Sequence, residues 1–334
     1  MVSQLLSLIQ SAIWFGTVIL YGAMGEILTE KSGNLNLGVP GIMSLGAIGA
    51  LMGGFFYERA AAEPVPAVCL LCAVGGAAVL SVFGGLIYAF LTITLRANQN
   101  VTGLTLTIFG CGMANFFGGS LNKLSGGVGQ ISLSATSKVM RWTIPGLRTV
   151  SVIGTLGWLV YLALVLAVVL QIFLNRTRRG LNLRAVGENP ATADAAGINV
   201  VRYKYMATCV GALISGLGGL YYTMDYIKGT WASDGGIEAL GWLAVALVIF
   251  STWRPVRAIW SSFLFGALSW LYFYFADLMK MFGVQITMTR ASQEIFKMMP
   301  YLVTIIVLVV VSLRRKRENE PPAALGLSYF REER

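Results

Sequence analysis

The sequence predicts an all-α protein, a polytopic transmembrane bundle of about nine spans, bounded by eight and ten. Three observations carry that expectation. Of 334 residues, 56% are hydrophobic and 12% charged, against roughly 25% charged in an ordinary soluble domain, so there are too few polar side chains to cover a globule in water. Apolar runs of about 20 residues, enough to cross about 30 Å of hydrocarbon, recur along the whole chain. The runs are continuously apolar, whereas a transmembrane barrel would alternate in strands of about ten residues.

Taken in order, the expected spans cover residues 5–25, 37–56, 66–92, 100–120, 151–174, 204–223, 237–251, 258–276 and 298–313. The first run begins near Leu5 with no Lys or Arg before it, and it is too long, without a small-residue cleavage site, for a secretory signal. Small residues at four-residue spacing mark helix-packing faces: Gly46, Ala50 and Gly54 in the second span, Gly211, Ser215 and Gly219 in the sixth. Residues 1–313 form one membrane domain with a polar loop at 175–204. Residues 314–334 form a basic tail, with a break at Pro321-Pro322 before an end expected to be mobile.

The net charge of +10 is a matter of placement, because the cations cluster beside the spans. Arg314, Arg315, Lys316 and Arg317 follow the last apolar run, and Arg176, Arg178, Arg179, Arg184, Arg202 and Lys204 fill the 175–204 loop. Positive charge favours the cytoplasmic side, so the C-terminus and this loop are expected there, in a multi-pass protein of the plasma membrane. Nucleic acid is not an expected partner; membrane lipid is. Cys69, Cys72, Cys111 and Cys209 fall in or beside spans and read as packing residues.

Within the loop, Glu188-Asn189-Pro190-Ala191-Thr192-Ala193-Asp194-Ala195-Ala196-Gly197 spells a two-turn helix. Asn189 suits the N-cap, Pro190 the first helical position, and Gly197 the left-handed stop. A second stretch, Gly25 to Gly41, interrupts apolar sequence with Ser32, Gly33, Asn34, Asn36 and Pro40. Near residues 29–38 it is either a break inside the membrane, tolerated where backbone is buried or lines a wet cavity, or a hairpin joining two spans. A third stretch, Val248 to Ala258, places Trp253, Arg254 and Arg257 at a turn, where an interfacial anchor would explain them.

These three stretches, running from near residue 25 to near 270, resemble the ABC importer permeases that serve branched-chain amino acids, simple sugars and nucleosides. The run from Arg184 to Lys204 is similar to that family's coupling-helix loop, which implies that Glu188, Asn189, Pro190, Ala191, Asp194 and Gly197 dock on a cytoplasmic ABC ATPase. The Ser-Gly and Asn-Leu pattern from Ser32 to Gly38 resembles the nucleoside-type branch, and departs from the Gly-Gly-Ile-Asp-Leu-Ser pattern of sugar-type members. The resemblance implies a second permease subunit, identical or related, and an extracytoplasmic solute-binding protein. It also implies a non-catalytic chain that binds no cofactor, with ATP and Mg at the partner ATPase. A branched-chain amino acid or sugar permease is the alternative, and an ATP-independent carrier or channel a more distant one.

Pathway residues are expected among Ser32, Asn34, Asn36, Phe116, Glu238 and Trp242. The aromatics, with Phe117 and Trp231, offer faces for a nucleobase, and Glu238 is an ionisable group entering a span. Other acids, Asp225, Asp234, Asp277 and Glu294, are expected in outer loops. Leu124-Ser125-Gly126-Gly127-Val128-Gly129-Gln130 mimics an ATPase signature, but no phosphate loop of the form G-x-x-x-x-G-K-[ST] exists in the chain. With no histidine, His-based metal sites, proton relays and catalytic triads are absent.

Overall fold

The computed structural model describes residues 2–124, 131–143, 152–233, 235–281, 289–314 and 320–330. Arg315, Lys316 and Arg317 of the basic cluster, Asp234, and the glycine-rich stretch after Leu124 lie outside the described residues. All regular structure in the described residues is helical apart from one isolated bridge between Thr143 and Gly157.

The helices are α1 (Val2–Glu30), α2 (Val39–Ala60), α3 (Pro66–Ala89), α4 (Gln99–Leu124), α5 (Ser134–Met140), α6 (Trp158–Arg176), α7 (Arg178–Glu188), α8 (Pro190–Ala195), α9 (Val200–Tyr221), α10 (Gly236–Phe250), α11 (Pro255–Met281), α12 (Arg290–Lys297) and α13 (Met299–Arg314). Helices α3 and α9 each end in a π-helical segment, Phe90–Thr94 and Tyr222–Tyr226. Among the described residues, seven helices are long and apolar enough to cross a membrane, drawn from α1, α2, α3, α4, α6, α9 and α11. The two other expected spans coincide with shorter helices, α10 of 15 residues and α13 of 16. The first span runs further than its apolar run suggests, to Glu30 instead of residue 25.

Helix α2 occupies the centre. Its apolar window is 83% buried inside the protein, against 28% for α3, and it packs on α3, α9, α4 and α10. A helix wrapped on several sides must let its neighbours' backbones come close, and glycine permits that. A Cβ on Gly46 would lie 2.4 Å from the carbonyl oxygen of Gly216 in α9, and one on Gly49 2.3 Å from that of Gly76 in α3. The expected packing faces are thus seated: Ala50 is fully buried, Gly211 and Ser215 lie against Gly25 of α1, and Gly219 lies against Met43.

The chain alternates between two ends of the bundle. One end gathers the α1–α2 turn, the α3–α4 turn, α7, α8, the α10–α11 turn and residues 320–330. The other gathers α5, α12 and the α2–α3 connection. The segment near 29–38 is a hairpin in connectivity, since α1 stops at Glu30 and α2 starts at Val39. Its surroundings are nevertheless those of buried backbone, with Ser32, Asn34 and Asn36 at most 2% exposed.

Replacing Gly46 with Leu should lower the thermal midpoint of the detergent-solubilised protein, at a cost of about 1–3 kcal/mol for overpacking. The matched change Gly75→Leu, at a position with no atom within 4 Å of the added Cβ, should leave the midpoint unchanged.

Candidate functional site

Helix α8 has the geometry its residues spell. The Asn189 side chain accepts a hydrogen bond from the Thr192 N–H at 3.0 Å, and Pro190 starts the helix, where a missing N–H is no loss. Gly197 ends it with φ +81°. There its N–H donates to the Asp194 carbonyl and that of Ile198 to the Ala193 carbonyl, both at 3.0 Å. Ala193 is the buried side, packed with Val186 and Val200. Glu188, Asn189, Thr192, Ala195, Ala196 and Gly197 face outward. A short helix stopped at both ends and glued by one face leaves the other free to meet a partner as a rigid unit.

The 175–204 loop holds a further helix that was not expected there, α7, which leads into α8. Thr177 caps it, accepting from the Gly180 N–H at 3.1 Å, and Thr177 is the signal that announces it. The two helices meet at Asn189, and Gly187 lies directly on the α1–α2 turn: a Cβ there would sit 2.4 Å from the Lys31 carbonyl oxygen.

That turn is held by an inward-pointing polar set, because buried backbone groups need partners. Leu35 N–H donates to Gln99 Oε1 at 2.7 Å, Asn36 N–H to Glu26 Oε1 at 2.8 Å, and Gly38 N–H to Asn36 Oδ1 at 2.9 Å. Thr107 Oγ1 donates to the Leu37 carbonyl at 2.9 Å, and Asn34 Nδ2 to Thr208 Oγ1 at 3.2 Å. Asn34 and Asn36 are therefore engaged with α9 and with the turn itself, and Ser32 donates to the Thr29 carbonyl at 2.7 Å.

Two acids of the Gly25 to Gly41 stretch are buried here. Glu26 and Glu30 stand one turn apart on α1, 1% and 3% exposed; their i, i+4 spacing was the available signal. The Trp253 indole N–H donates to Glu30. Trp253 is thus buried, 6% exposed, and is not the interfacial anchor expected of it, since Glu30 needs a donor inside the protein. Thr252 and Trp253 both adopt φ 53°, a left-handed pair that costs energy in non-glycine residues. Arg257 steadies the turn by donating to Thr252 Oγ1 at 2.8 Å. Lys31 lies 6.0 Å from the Trp253 ring centroid, and burial, aided by Arg184 nearby, holds its ammonium below the usual lysine range.

The C-terminal segment is docked here, contrary to the mobile end expected. Ala324 N–H donates to the Gly187 carbonyl at 3.0 Å and Gly326 N–H to the Gly33 carbonyl at 3.2 Å. Tyr329 OH donates to Asp194 Oδ2 at 2.9 Å, and the Arg96 guanidinium lies 4.6 Å from the Phe330 ring centroid. One short segment joins the α1–α2 turn, the α3–α4 turn and α8. Its charge had suggested solvent; the contacts are made by its small and aromatic residues instead.

The remaining expected residues lie toward the opposite end. Glu238 is exposed at the head of α10, beside Ser44, Cys111 and Asn115. Phe116 is 68% exposed on α4, with open space at Gly112 and Gly119 on the same helix. Trp242 is half-buried, and Trp231 is a core residue packed on Gly118. Asp225, expected in a loop, is instead in the π segment after α9 and 9% exposed. Asp277 and Glu294 fall within α11 and α12. Among the described residues no cluster of three or more His, Cys, Asp or Glu has a metal-holding arrangement.

Trp253→Phe removes the donor to Glu30 and should cost about 1–3 kcal/mol of stability. Combined with Glu30→Gln, the loss should be smaller than the sum of the two single changes, as read from thermal midpoints in a double-mutant cycle.

Residues 7–308 match the family described as "Branched-chain amino acid transport system / permease component". The putative glucose ABC transporter permease protein TsgC13 of Haloferax volcanii is 32% identical, over 97% of this chain and 98% of its own length. The guanosine ABC transporter permease protein NupQ of Bacillus subtilis is 29% identical over 99% of both chains. The nucleoside ABC transporter permease protein NupC of Lactococcus lactis is 30% identical over 92% of this chain and 93% of its own. The matched region contains α8, the buried α1–α2 turn and the Trp253 turn together, and the chain belongs to this family of ABC transporter permeases.

Proposed function

We propose that this chain is the membrane-spanning permease subunit of an ABC importer for nucleosides, driven by a separate cytoplasmic ATPase that docks on α8. The observation that carries the reading is α8 itself: a capped, six-residue helix fixed on one face and open on the other, in a chain of permease relatives. The cationic loop that bears it favours the cytoplasmic side, and residues 320–330, docked at the same end, would then lie there too. ATP and Mg then act on the partner, and this chain contributes a path and a lever without binding a cofactor.

Motion imposed on α8 has a structural route inward. Gly187 abuts the α1–α2 turn, residues 323–326 bridge both, and the turn continues into the central helix α2. Rigid elements with few internal joints transmit displacement that a flexible loop would absorb. We assign Glu188, Asn189, Pro190, Ala191, Asp194 and Gly197 to this coupling surface, and Ser32, Asn34 and Asn36 to the joint behind it.

A second permease subunit, identical or related, is assigned to the open face of α4. Phe116, Glu238 and Trp242 then border the translocation path between the two. An extracytoplasmic binding protein would deliver solute to the end opposite α8. Nucleosides are preferred because two of the three relatives above are named for guanosine or nucleoside transport, while the glucose relative keeps a sugar as the second reading. An ion-coupled carrier would need acids inside the bundle. Glu26, Glu30 and Asp225 are such acids, but the Asn36 N–H and the Trp253 indole bond to the first two, and among the described residues no three acids gather as an ion site.

Gly197→Pro forces φ near −65° where +81° is needed. It should cut ATP-driven uptake by about tenfold or more, the scale of an ordinary coupling energy, with the protein still inserted in the membrane. Uptake unchanged in this variant, together with failure of the tagged chain to retain an ATPase on purification, would sink the coupling assignment. Labelled guanosine uptake should disappear when the gene and its permease partner's are deleted; uptake that survives rules out the nucleoside reading.

A further inference from the structure

At the end of the bundle opposite α8, a cavity of about 440 Å³ is bordered by α1, the N-cap of α6, α11 and the π segment that closes α9. That volume lies within the roughly 300–1,000 Å³ of small-molecule sites. Among the described residues, Trp14 of α1, Tyr226 of the π segment and Trp270 of α11 line it with half-buried rings. Asp225 lines it as well, together with the exposed Arg141 and Lys228.

Asp225 is the unusual member. It is 9% exposed, and its Oδ2 is buried with no hydrogen-bond partner among the described residues. Native proteins rarely leave a buried carboxylate oxygen unsatisfied, and Asp225 also borders the cavity. The oxygen is admitted by Gly157, where a Cβ would meet it at 2.4 Å. Gly157 is also the N-cap of α6, so the acid stands at the positive end of that helix. This accounts for a carboxylate at that place but not for the empty volume lined by three aromatic rings beside it. The backbone carries a further mark. Residues Tyr222–Tyr226 are π-helical, and the turn closes with the Ile227 N–H donating to the Tyr222 carbonyl at 2.9 Å. Such local widening re-aims side chains and recurs at functional sites.

The chemistry selects a ligand class. Two indoles and a phenol supply flat apolar faces for the CH side of a ring. A carboxylate accepts from neighbouring hydroxyls, and the two cations donate to ring or hydroxyl oxygens. A cation is disfavoured by Arg141 and Lys228, and an anion by Asp225. We propose that this cavity, at the end where the binding protein delivers solute and ahead of the path bordered by Phe116, Glu238 and Trp242, binds the transported solute through a neutral, polyhydroxylated ring, with Asp225 accepting from its hydroxyls and Trp14, Tyr226 and Trp270 packed on its faces. The shared chemistry fits the ribose of a nucleoside or a free sugar, and the role as a solute site rests on the importer reading above.

The test uses the assembled complex of this chain, its partner permease and the ATPase, purified without binding protein. Equilibrium binding of labelled guanosine and, separately, labelled glucose is measured beside ATP-driven uptake in proteoliposomes. Asp225→Asn should weaken binding of the recognised solute by about tenfold or more. Trp270→Ala should do the same, whereas Trp270→Phe should restore binding to within about threefold. Guanosine alone binding identifies a nucleoside and glucose alone a sugar; either supports the site when Asp225→Asn or Trp270→Ala weakens it. Should Asp225→Asn not be recovered folded, the two Trp270 variants decide. Binding within about twofold of the parent complex in both Asp225→Asn and Trp270→Ala overturns the site even if uptake is robust. Binding that is Asp225-dependent in a complex that never transports keeps the site and defeats the importer reading.

Discussion

The structure depends on backbone meeting backbone around α2. A helix placed at the centre of a bundle has no free side on which to carry bulk, so its neighbours must approach to the limit set by main-chain atoms. Gly46 on Gly216 and Gly49 on Gly76 mark two such approaches, with α9 on one side and α3 on the other. In lipid there is little hydrophobic gain in bringing apolar helices together, and close van der Waals packing carries the association. Much follows from that placement. With α2 fixed, its preceding turn is enclosed, and an enclosed turn must satisfy its own polar groups from within.

That obligation explains the density of polar bonds near Ser32 to Gly38. Gln99, Glu26, Thr107 and Thr208 come from three different helices to meet one short turn. Glu26 in turn brings a neighbour, Glu30, and Glu30 is met by an indole from the α10–α11 turn. A packing constraint at the centre thereby becomes a polar network at one end, directly beneath α7 and α8. The docked C-terminal segment closes the arrangement by bonding to Gly33 and Gly187 at once. If α8 receives the ATPase as proposed, this arrangement gives it a stiff seat, which is what transmission from an external motor requires.

The opposite end is built differently. Asp225 and the three rings border open volume, and Glu238 and Phe116 stand exposed. The proposed importer would use this contrast, with rigid joints where force enters and accommodating surface where solute and partner subunit meet. The two ends are linked by the same helices, α1 and α9, so displacement at α8 bears on both.

The sequence by itself determined the helical class, the place of the seven long apolar helices and the caps of α8. Hydropathy is additive along a chain, and a cap is a local bond: Asn189, Pro190 and Gly197 lie within ten residues of one another and need no tertiary partner to be read. The ends of spans were less legible, because Glu26 and Glu30 look like solvent-side residues until α10 and α11 bring Trp253 to them. The same holds for the C-terminal segment, whose small and aromatic residues have meaning only beside Gly33, Gly187 and Asp194. Asp225 read as a loop acid because a π turn leaves no simple sequence pattern and Gly157 is 68 positions away. Only the tertiary structure decided which polar residues are buried, since burial is a property of neighbours distant in sequence, and no window along the chain contains them.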